Sequence, residues 1–249
     1  RDGIDTGGTP GSPSMGIANV ETYERQNAIL YVYRKQGRDT GGAGRFRGGM
    51  GTDLLIIPHN HTGPLDVTVL CHGASQPEAR GLFGGGPSSV QVRLMLRQTN
   101  LAELFRSGFV PTSLGEIESK MVEALEAKDR TTMDGGDALL AVAAGGAGYG
   151  DPLDRPAERV HRDFLLGVIS EETARNVYGV MIDEGKTLDR LRTEERRRAL
   201  RALRLREGKP ADPEAVRRSL RGSAEKTPSN VIGDCLATVE SEGEWLYVC

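Results

Sequence analysis

Glycine comes in three dense clusters, and no other feature of the sequence constrains the fold as much. Thr40–Gly51 reads TGGAGRFRGGMG, Gly81–Pro87 reads GLFGGGP and Gly145–Pro152 reads GGAGYGDP. Glycine makes up 33 of 249 residues, about 13% where roughly 7% is usual. A residue without a Cβ lets backbones turn sharply or approach one another closely, and it weakens helix and strand interiors. Two readings stay open. The clusters are tight turns between strands that pack backbone to backbone, or they are loops whose N–H groups cradle a phosphate. On the second reading Gly41, Gly42 and Gly44, with Arg45 and Arg47 beside them, are the candidates, together with Asp151 of the third cluster. The plainer account makes Arg45 a salt-bridge partner of the glycine turn and Asp151, just before Pro152, a turn residue.

Between the clusters the pattern is that of strands. Ala28–Arg34 (AILYVYR), Asp53–Pro58 (DLLIIP) and Leu65–His72 (LDVTVLCH) are rich in β-branched and aromatic residues. In the third, Leu65, Val67, Val69 and Cys71 share one face. Val90, Val92, Leu94 and Leu96 alternate with Gln91, Arg93 and Arg97, which predicts a half-buried strand. Glu116–Lys128 fits a helix or a strand, and Asp134–Asp137 (DGGD) is a turn signal before the apolar run Ala138–Ala144. Beyond the third cluster the period changes. A helix is expected over Asp154–Gly167 with Val160, Phe164 and Leu165 on one side and His161 exposed. A second, capped by Ser170, should end at Gly179, followed by a brief strand VMID and a charged helix from Thr187 to Arg206. Residues 1–20, rich in Gly, Pro and Ser, read as loop.

Charge and cysteine usage narrow the function. Net charge is −3, but Lys186–Arg221 carries 13 Lys or Arg against 6 Asp or Glu. That basic segment has acids interspersed and no aromatic to stack on a base, so it reads as a solvated or partner-docking helix and nucleic-acid binding is rejected. No apolar run approaches the ~18 residues of a membrane span, and no charged-then-apolar leader opens the chain, so neither a membrane nor a secreted protein is expected. Cys71, Cys235 and Cys249 are odd in number and far apart, which suits a reducing cytoplasm. Cys71 reads as a small buried hydrophobe, and Cys235 and Cys249 lack the CxxC spacing of a metal site. His59 and His61 stand two apart in PHNH, so a metal pair completed by Asp66 or His72 is geometrically possible, while plain surface histidines explain them equally well. The P-loop, GxGxxG, HExxH and GxSxG signatures are absent. An Arg1 start and a terminal cysteine after an apolar run suggest a piece of a longer polypeptide.

Taken in order, NVETYERQNAILYVYR (Asn19–Arg34), RDTGGAGRFRGG (Arg38–Gly49), GLFGG (Gly81–Gly85), GGAGYGDPLDRP (Gly145–Pro156) and ISEETARNVYGV (Ile169–Val180) resemble the C-terminal half of hydantoinase B subunits. That family includes 5-oxoprolinases, N-methylhydantoinases and the acetone and acetophenone carboxylases. The resemblance implies an ATP-dependent enzyme in which a hydantoinase A-type subunit splits ATP and phosphorylates a carbonyl or amide oxygen. The hydantoinase B part then hosts ring opening by water or carbon–carbon bond formation with activated bicarbonate. It implies ATP with Mg or Mn, bound largely outside this chain, and possible Zn in the complex. The family's His and Asp metal ligands lie in the other half of the subunit, so His59, His61 and His72 do not inherit that role. Two departures stand out. Ser119–Asp137 is longer than the usual strand, and the tail beyond Arg206 extends past the shorter hydrolase members.

The expected fold is α+β: strands joined by Gly-rich turns over 1–152, a helical region with the basic helix over 153–222, and an extension with a terminal strand over 223–249. The tail and the LYVYRKQGRDTGG form favour a subunit of an ATP-dependent ketone carboxylase of the acetone or acetophenone type. An ATP-dependent hydantoinase or 5-oxoprolinase is the alternative, and a non-catalytic assembly module is the reading from another class.

Overall fold

A computed structural model describes residues 1–5, 19–71, 76–77, 79–208 and 214, and the backbone of 230–233, 236–241 and 244–248. Contacts divide the chain into two units, Arg1–Leu200 and Arg201–Cys249. Most of the loop expected over 1–20 lies outside the described residues.

The first unit opens with α1 (Val20–Gln26), whose start the side chain of Asn19 caps by accepting from the Thr22 N–H at 3.0 Å. Five strands then build one antiparallel sheet: β1 (Ile29–Gln36), β2 (Thr52–Pro58), β4 (Val92–Thr99), β5 (Ser119–Ala124) and β7 (Ala138–Val142), in the order β1-β2-β7-β4-β5. β3 (Leu65–Leu70) and β6 (Lys128–Met133) leave that sheet and pair with each other, Leu65 opposite Met133. The short helix α2 (Leu101–Arg106) follows β4 and covers one sheet face.

Strand periodicity explains the core. Leu55, Leu96, Ala138 and Leu140 point to the face under α2 and meet Leu101, Leu104 and Phe105. Their neighbours Met95 and Leu139 point the other way, toward Met133 and Val67 of the β3–β6 pair. β7 is central with both faces covered, which is why its sequence is a continuous apolar run. The half-buried strand expected at 90–97 is corrected for the same reason: β4 is buried on both sides, and Arg93 is buried with it. Its guanidinium donates to the carbonyls of Val92 and Val142 and to Gln91 Oε1 at 2.7–2.8 Å, so the desolvated charge is solvated by the protein. The ambiguous stretch 116–128 resolves into a 3-10 turn (Leu114–Glu116) and edge strand β5, whose Met121 and Val122 stay exposed.

The remainder of this unit is helical. A 3-10 turn (Pro152–Asp154) leads into α3 (Ala157–Leu165), and α4 (Glu171–Asn176) follows. Ser170 caps α4 as its sequence predicts, accepting from Thr173 N at 3.1 Å. Val160 and Phe164 pack with Met50, Ile169, Ala174, Tyr178 and Val180, but Leu165 is 55% exposed and leaves that face. Its place inside is taken by Asp163, which pairs with a buried arginine. His161, expected to be exposed, is half-buried, with Nε2 2.7 Å from the Lys186 carbonyl. β8 (Met181–Ile182) pairs with β9 (Leu188–Asp189), which takes the residues expected to start the charged helix, so α5 runs Arg190–Glu207.

In the second unit β10 (Asn230–Gly233), β11 (Leu236–Ser241) and β12 (Glu244–Val248) form an antiparallel sheet in that order. The apolar end, expected as one terminal strand, is thus two paired strands, Ala237 opposite Val248 and Ser241 opposite Glu244. Cys235 and Cys249 lie outside the described residues. Among the described residues no helix is long and apolar enough to cross a membrane.

Candidate functional site

The three glycine clusters, separated by some thirty to sixty residues, come together in space as three extended segments stacked backbone on backbone. Gly42 N–H donates to Gly146 O at 2.8 Å, Gly146 N–H to Gly49 O at 2.9 Å, Gly86 N–H to Ala43 O at 2.6 Å and Gly148 N–H to Gly86 O at 2.9 Å. Phe46 and Tyr149 exchange N–H···O bonds at 3.0 and 2.9 Å. Glycine is compulsory at this distance. A Cβ on Gly48 would lie 1.9 Å from Gly146 O, and one on Gly148 would lie 1.9 Å from Ala43 O. This glycine layer realises the close-packing reading of the clusters. The amides of Gly42, Gly48, Gly86, Gly146 and Gly148 are taken up by carbonyls of the layer.

The sequence-predicted residues fall in different places. Gly42 and Gly44 are buried in the layer, and Gly41 lies at its side, partly buried. Arg45 is exposed at its end, with the guanidinium carbon 5.8 Å above the Phe46 ring and the backbone N–H bonded to Gly150 O. Arg47 turns inward, with Nη1 3.0 Å from Asp5 Oδ1 and Nε 3.6 Å from Asp163 Oδ2. Asp151 accepts from Leu153 N at 2.8 Å and so caps the 3-10 turn. A Cβ added at Gly84 would lie 3.6 Å from the Asp151 backbone nitrogen, and Gly150 N–H donates to Leu82 O at 2.9 Å, so the second and third clusters share this end of the layer. His59 and His61 are exposed. His59 lines an open groove of about 680 Å³ with Glu21, Glu24 and Arg25. Among the described residues no group of three or more His, Cys, Asp or Glu could hold a metal ion, and His72 lies outside them. Asp66 is exposed, and Cys71 is buried as a small hydrophobe.

An ionic network that sequence reasoning missed fastens the layer. Arg155, 1% exposed, sends Nη1 and Nη2 to the two carboxylate oxygens of Asp2 at 2.6 and 2.9 Å, and Nη2 also to Asp163 at 2.7 Å. Such a forked pair is directional as well as strong. Burial alone would raise the Asp2 carboxyl, but the hydrogen bonds and charge of Arg155 outweigh it and hold Asp2 below its usual range. Asp5 accepts from Met50 N at 2.7 Å, so residues 1–5 are tied along the layer. Tyr178 sits beneath, its phenol pushed up to about 12 by burial and hydrogen-bonded by the backbone of Gly44. Arg197 of α5 closes the cluster by donating to the Tyr178 and Arg155 carbonyls. The only sequence signal was the family's DPLDRP, and it says nothing of a partner 153 residues away.

A family model described as Hydantoinase B/oxoprolinase matches residues 1–152, which contain all three clusters. The chain belongs to the hydantoinase B/oxoprolinase family. Among curated relatives of this family, the acetophenone carboxylase delta subunit of Aromatoleum aromaticum is 31% identical over 74% of this chain and 28% of its own length. The acetone carboxylase alpha subunit of Xanthobacter autotrophicus is 28% identical over 74% of this chain and 25% of its own. The caprolactamase subunit beta of Pseudomonas jessenii is 34% identical over 73% and 28%. The chain therefore spans little more than a quarter of the relatives' length. Of solved structures, nucleotide-free acetone carboxylase superposes with a TM-score of 0.70 at 25% identity, over 89% of this chain and 30% of the other. ATP-dependent caprolactamase from Pseudomonas jessenii gives 0.58 at 25%, over 78% and 32%. Both agree with the α+β fold.

Proposed function

We propose that the chain is the glycine-layer part of a hydantoinase B-type subunit in an ATP-dependent ketone carboxylase, working in the cytoplasm beside a hydantoinase A-type subunit that binds and splits ATP. What carries the reading is the glycine layer, which lies within the residues the family model matches, with ketone carboxylase subunits among the relatives of this chain. In this reading residues 1–152 are the hydantoinase B-type β region, 153–222 a helical region and 223–249 an extension. The amides of Gly42, Gly48, Gly86, Gly146 and Gly148 are engaged within the layer, and in this reading ATP with its Mg or Mn is bound largely outside this chain, with Zn possible in the complex. When bound, ATP supplies a phosphoryl group that turns a carbonyl oxygen into a leaving group.

The part left to this chain is anion recognition. Gly41, Gly42 and Gly44 form the rigid frame that carries Arg45. The Arg45 guanidinium is free to fork onto a carboxylate or phosphate, with Asp151 at the same end and Arg47 positioning from beneath. The test is purification with the ATP-binding subunit, followed by ATP hydrolysis assays. Dependence on a ketone plus bicarbonate supports the carboxylase, and turnover with neither a ketone nor a cyclic amide overturns the reading. The second reading, hydrolysis of a cyclic amide, is favoured by the higher identity to the caprolactamase subunit and would show as lactam- or hydantoin-dependent hydrolysis without bicarbonate. In the third, an assembly module, Arg45→Ala breaks the complex and leaves turnover of the residual complex intact.

A further inference from the structure

The end of the glycine layer that presents Arg45 also keeps large apolar side chains in water. Leu82 is 61% exposed, Phe83 79% and Tyr149 49%. They form one patch. The Tyr149 backbone bridges Phe46 on one side and Leu82 on the other, and its ring centre lies 5.2 Å from that of Phe83 and 6.3 Å from that of Phe46. Single exposed apolar residues are ordinary, whereas a contiguous cluster of them marks an interaction surface.

Phe83 adds a second, independent observation. Its φ is +51°, in the left-handed region, and Gly84 follows at +88°. A bulky side chain is strained there and glycine is not. The ring touches Tyr149 but belongs to none of the hydrophobic clusters among the described residues, so little burial offsets that strain. The backbone conformation asks for glycine, while the position holds an aromatic ring aimed at solvent.

The surroundings decide what covers the patch. Exposures of 49–79% mean that no wall encloses it, which does not suit a small molecule that needs a concave site. Arg45 stacks on Phe46 at the rim, and Arg80, two residues before Leu82, is exposed as well. Neither side chain is in an ion pair among the described residues. In a two-fold contact with a second copy these cations would face their own kind, so a self-interface is disfavoured. We propose that Leu82, Phe83 and Tyr149 dock the companion ATP-binding subunit, through a surface of that subunit that is apolar at its centre and carries Asp or Glu opposite Arg80. This rests on the hetero-oligomer reading above.

Hydroxyl-radical footprinting of the full-length subunit, alone and assembled with the companion, tests it together with the variants Phe83→Gly and Arg80→Glu. Expected are side chains 82, 83 and 149 reactive in the isolated subunit and several-fold protected in the complex. Phe83→Gly should weaken association at least about tenfold. The same change should leave the melting temperature of the isolated subunit unchanged or higher, because glycine suits φ +51°, so lost binding cannot be lost folding. Arg80→Glu should weaken association most at low salt. A complex in which Phe83 stays reactive, or which tolerates Phe83→Gly with unchanged affinity, overturns the surface while the functional reading stands. Protection already present in the isolated subunit, as monomer or homodimer, also overturns it. Failure of any complex to form removes the functional reading and this surface with it.

Discussion

The five-stranded sheet and the glycine layer lie in one unit and are held by opposite means. In the sheet, β4 and β7 bury Leu, Met and Ala on both faces, and stability comes from side chains leaving water. In the layer there is almost no side chain to bury. Three backbones approach until carbonyl oxygens occupy the space a methyl group would need, and cohesion comes from the amide–carbonyl bonds between Gly42, Gly48, Gly86, Gly146 and Gly148 and their partners. A side-chain core can redistribute volume among rotamers. A backbone stack cannot, and the two regions should therefore respond to substitution in contrary ways.

The sharpest test of that contrast is Gly48→Ala. One added carbon would sit 1.9 Å from Gly146 O, so the segments must separate and their hydrogen bonds with them. We expect a loss of about 4 kcal/mol or more, read in urea as loss of the folded baseline. Next comes the network that fastens the layer. Arg155→Met strips the partner from Asp2 and Asp163 and should cost about 3–5 kcal/mol. The sheet supplies the counter-case: Leu55→Met in a fully buried position should cost less than about 1.5 kcal/mol, although it changes more atoms than the glycine substitution. A sheet core as brittle as the layer would end the comparison.

Titration separates the regions further. Asp2, tied to the layer, has a depressed carboxyl, so its contribution is present above its unfolded value near 4 and is lost as pH falls through the folded value. Asp53, on sheet strand β2, is shifted the other way: burial raises it, and the nearby Lys35 and Tyr33 offset that only in part. Its ionised form is therefore a cost that appears as pH rises through the folded value. Asp53→Asn should flatten the decline in stability above pH 4, and Asp2→Asn should remove the acid-side loss, both read from urea midpoints between pH 3 and 7. The smallest effect belongs to Gly115→Ala, a glycine outside the layer where an added methyl would meet nothing within 4 Å, expected within about 0.5 kcal/mol.

Strands with alternating or continuous apolar runs could be read directly: β1, β2, β3 and β7 fall where their residue types place them. Two short helices, α1 and α2, could not, whereas α4, equally short, was announced by its Ser170 cap. α1 has Asn19 as its cap yet only seven residues, and α2 has six, too few for a period to declare itself. The second face of β4 was hidden because Arg93 is polar in the sequence and becomes buried only through the Val142 carbonyl of a neighbouring strand. Of the candidate site, Arg45 and Arg47 are two residues apart and look equivalent. One ends in water above Phe46, and the other ends in an ionic network with Asp5 and Asp163.

By itself the sequence determined that glycine at such density serves either close backbone approach or an anion-cradling loop, and it carried the family likeness in the order of the clusters. That the three clusters meet each other, that Arg155 joins residue 2 to residue 163, and that Phe83 stands strained in solvent were decided by the tertiary structure alone. The physical reason is range. Propensity and periodicity act over a few residues, whereas a hydrogen bond between Gly42 and Gly146 depends on how everything between them has already packed.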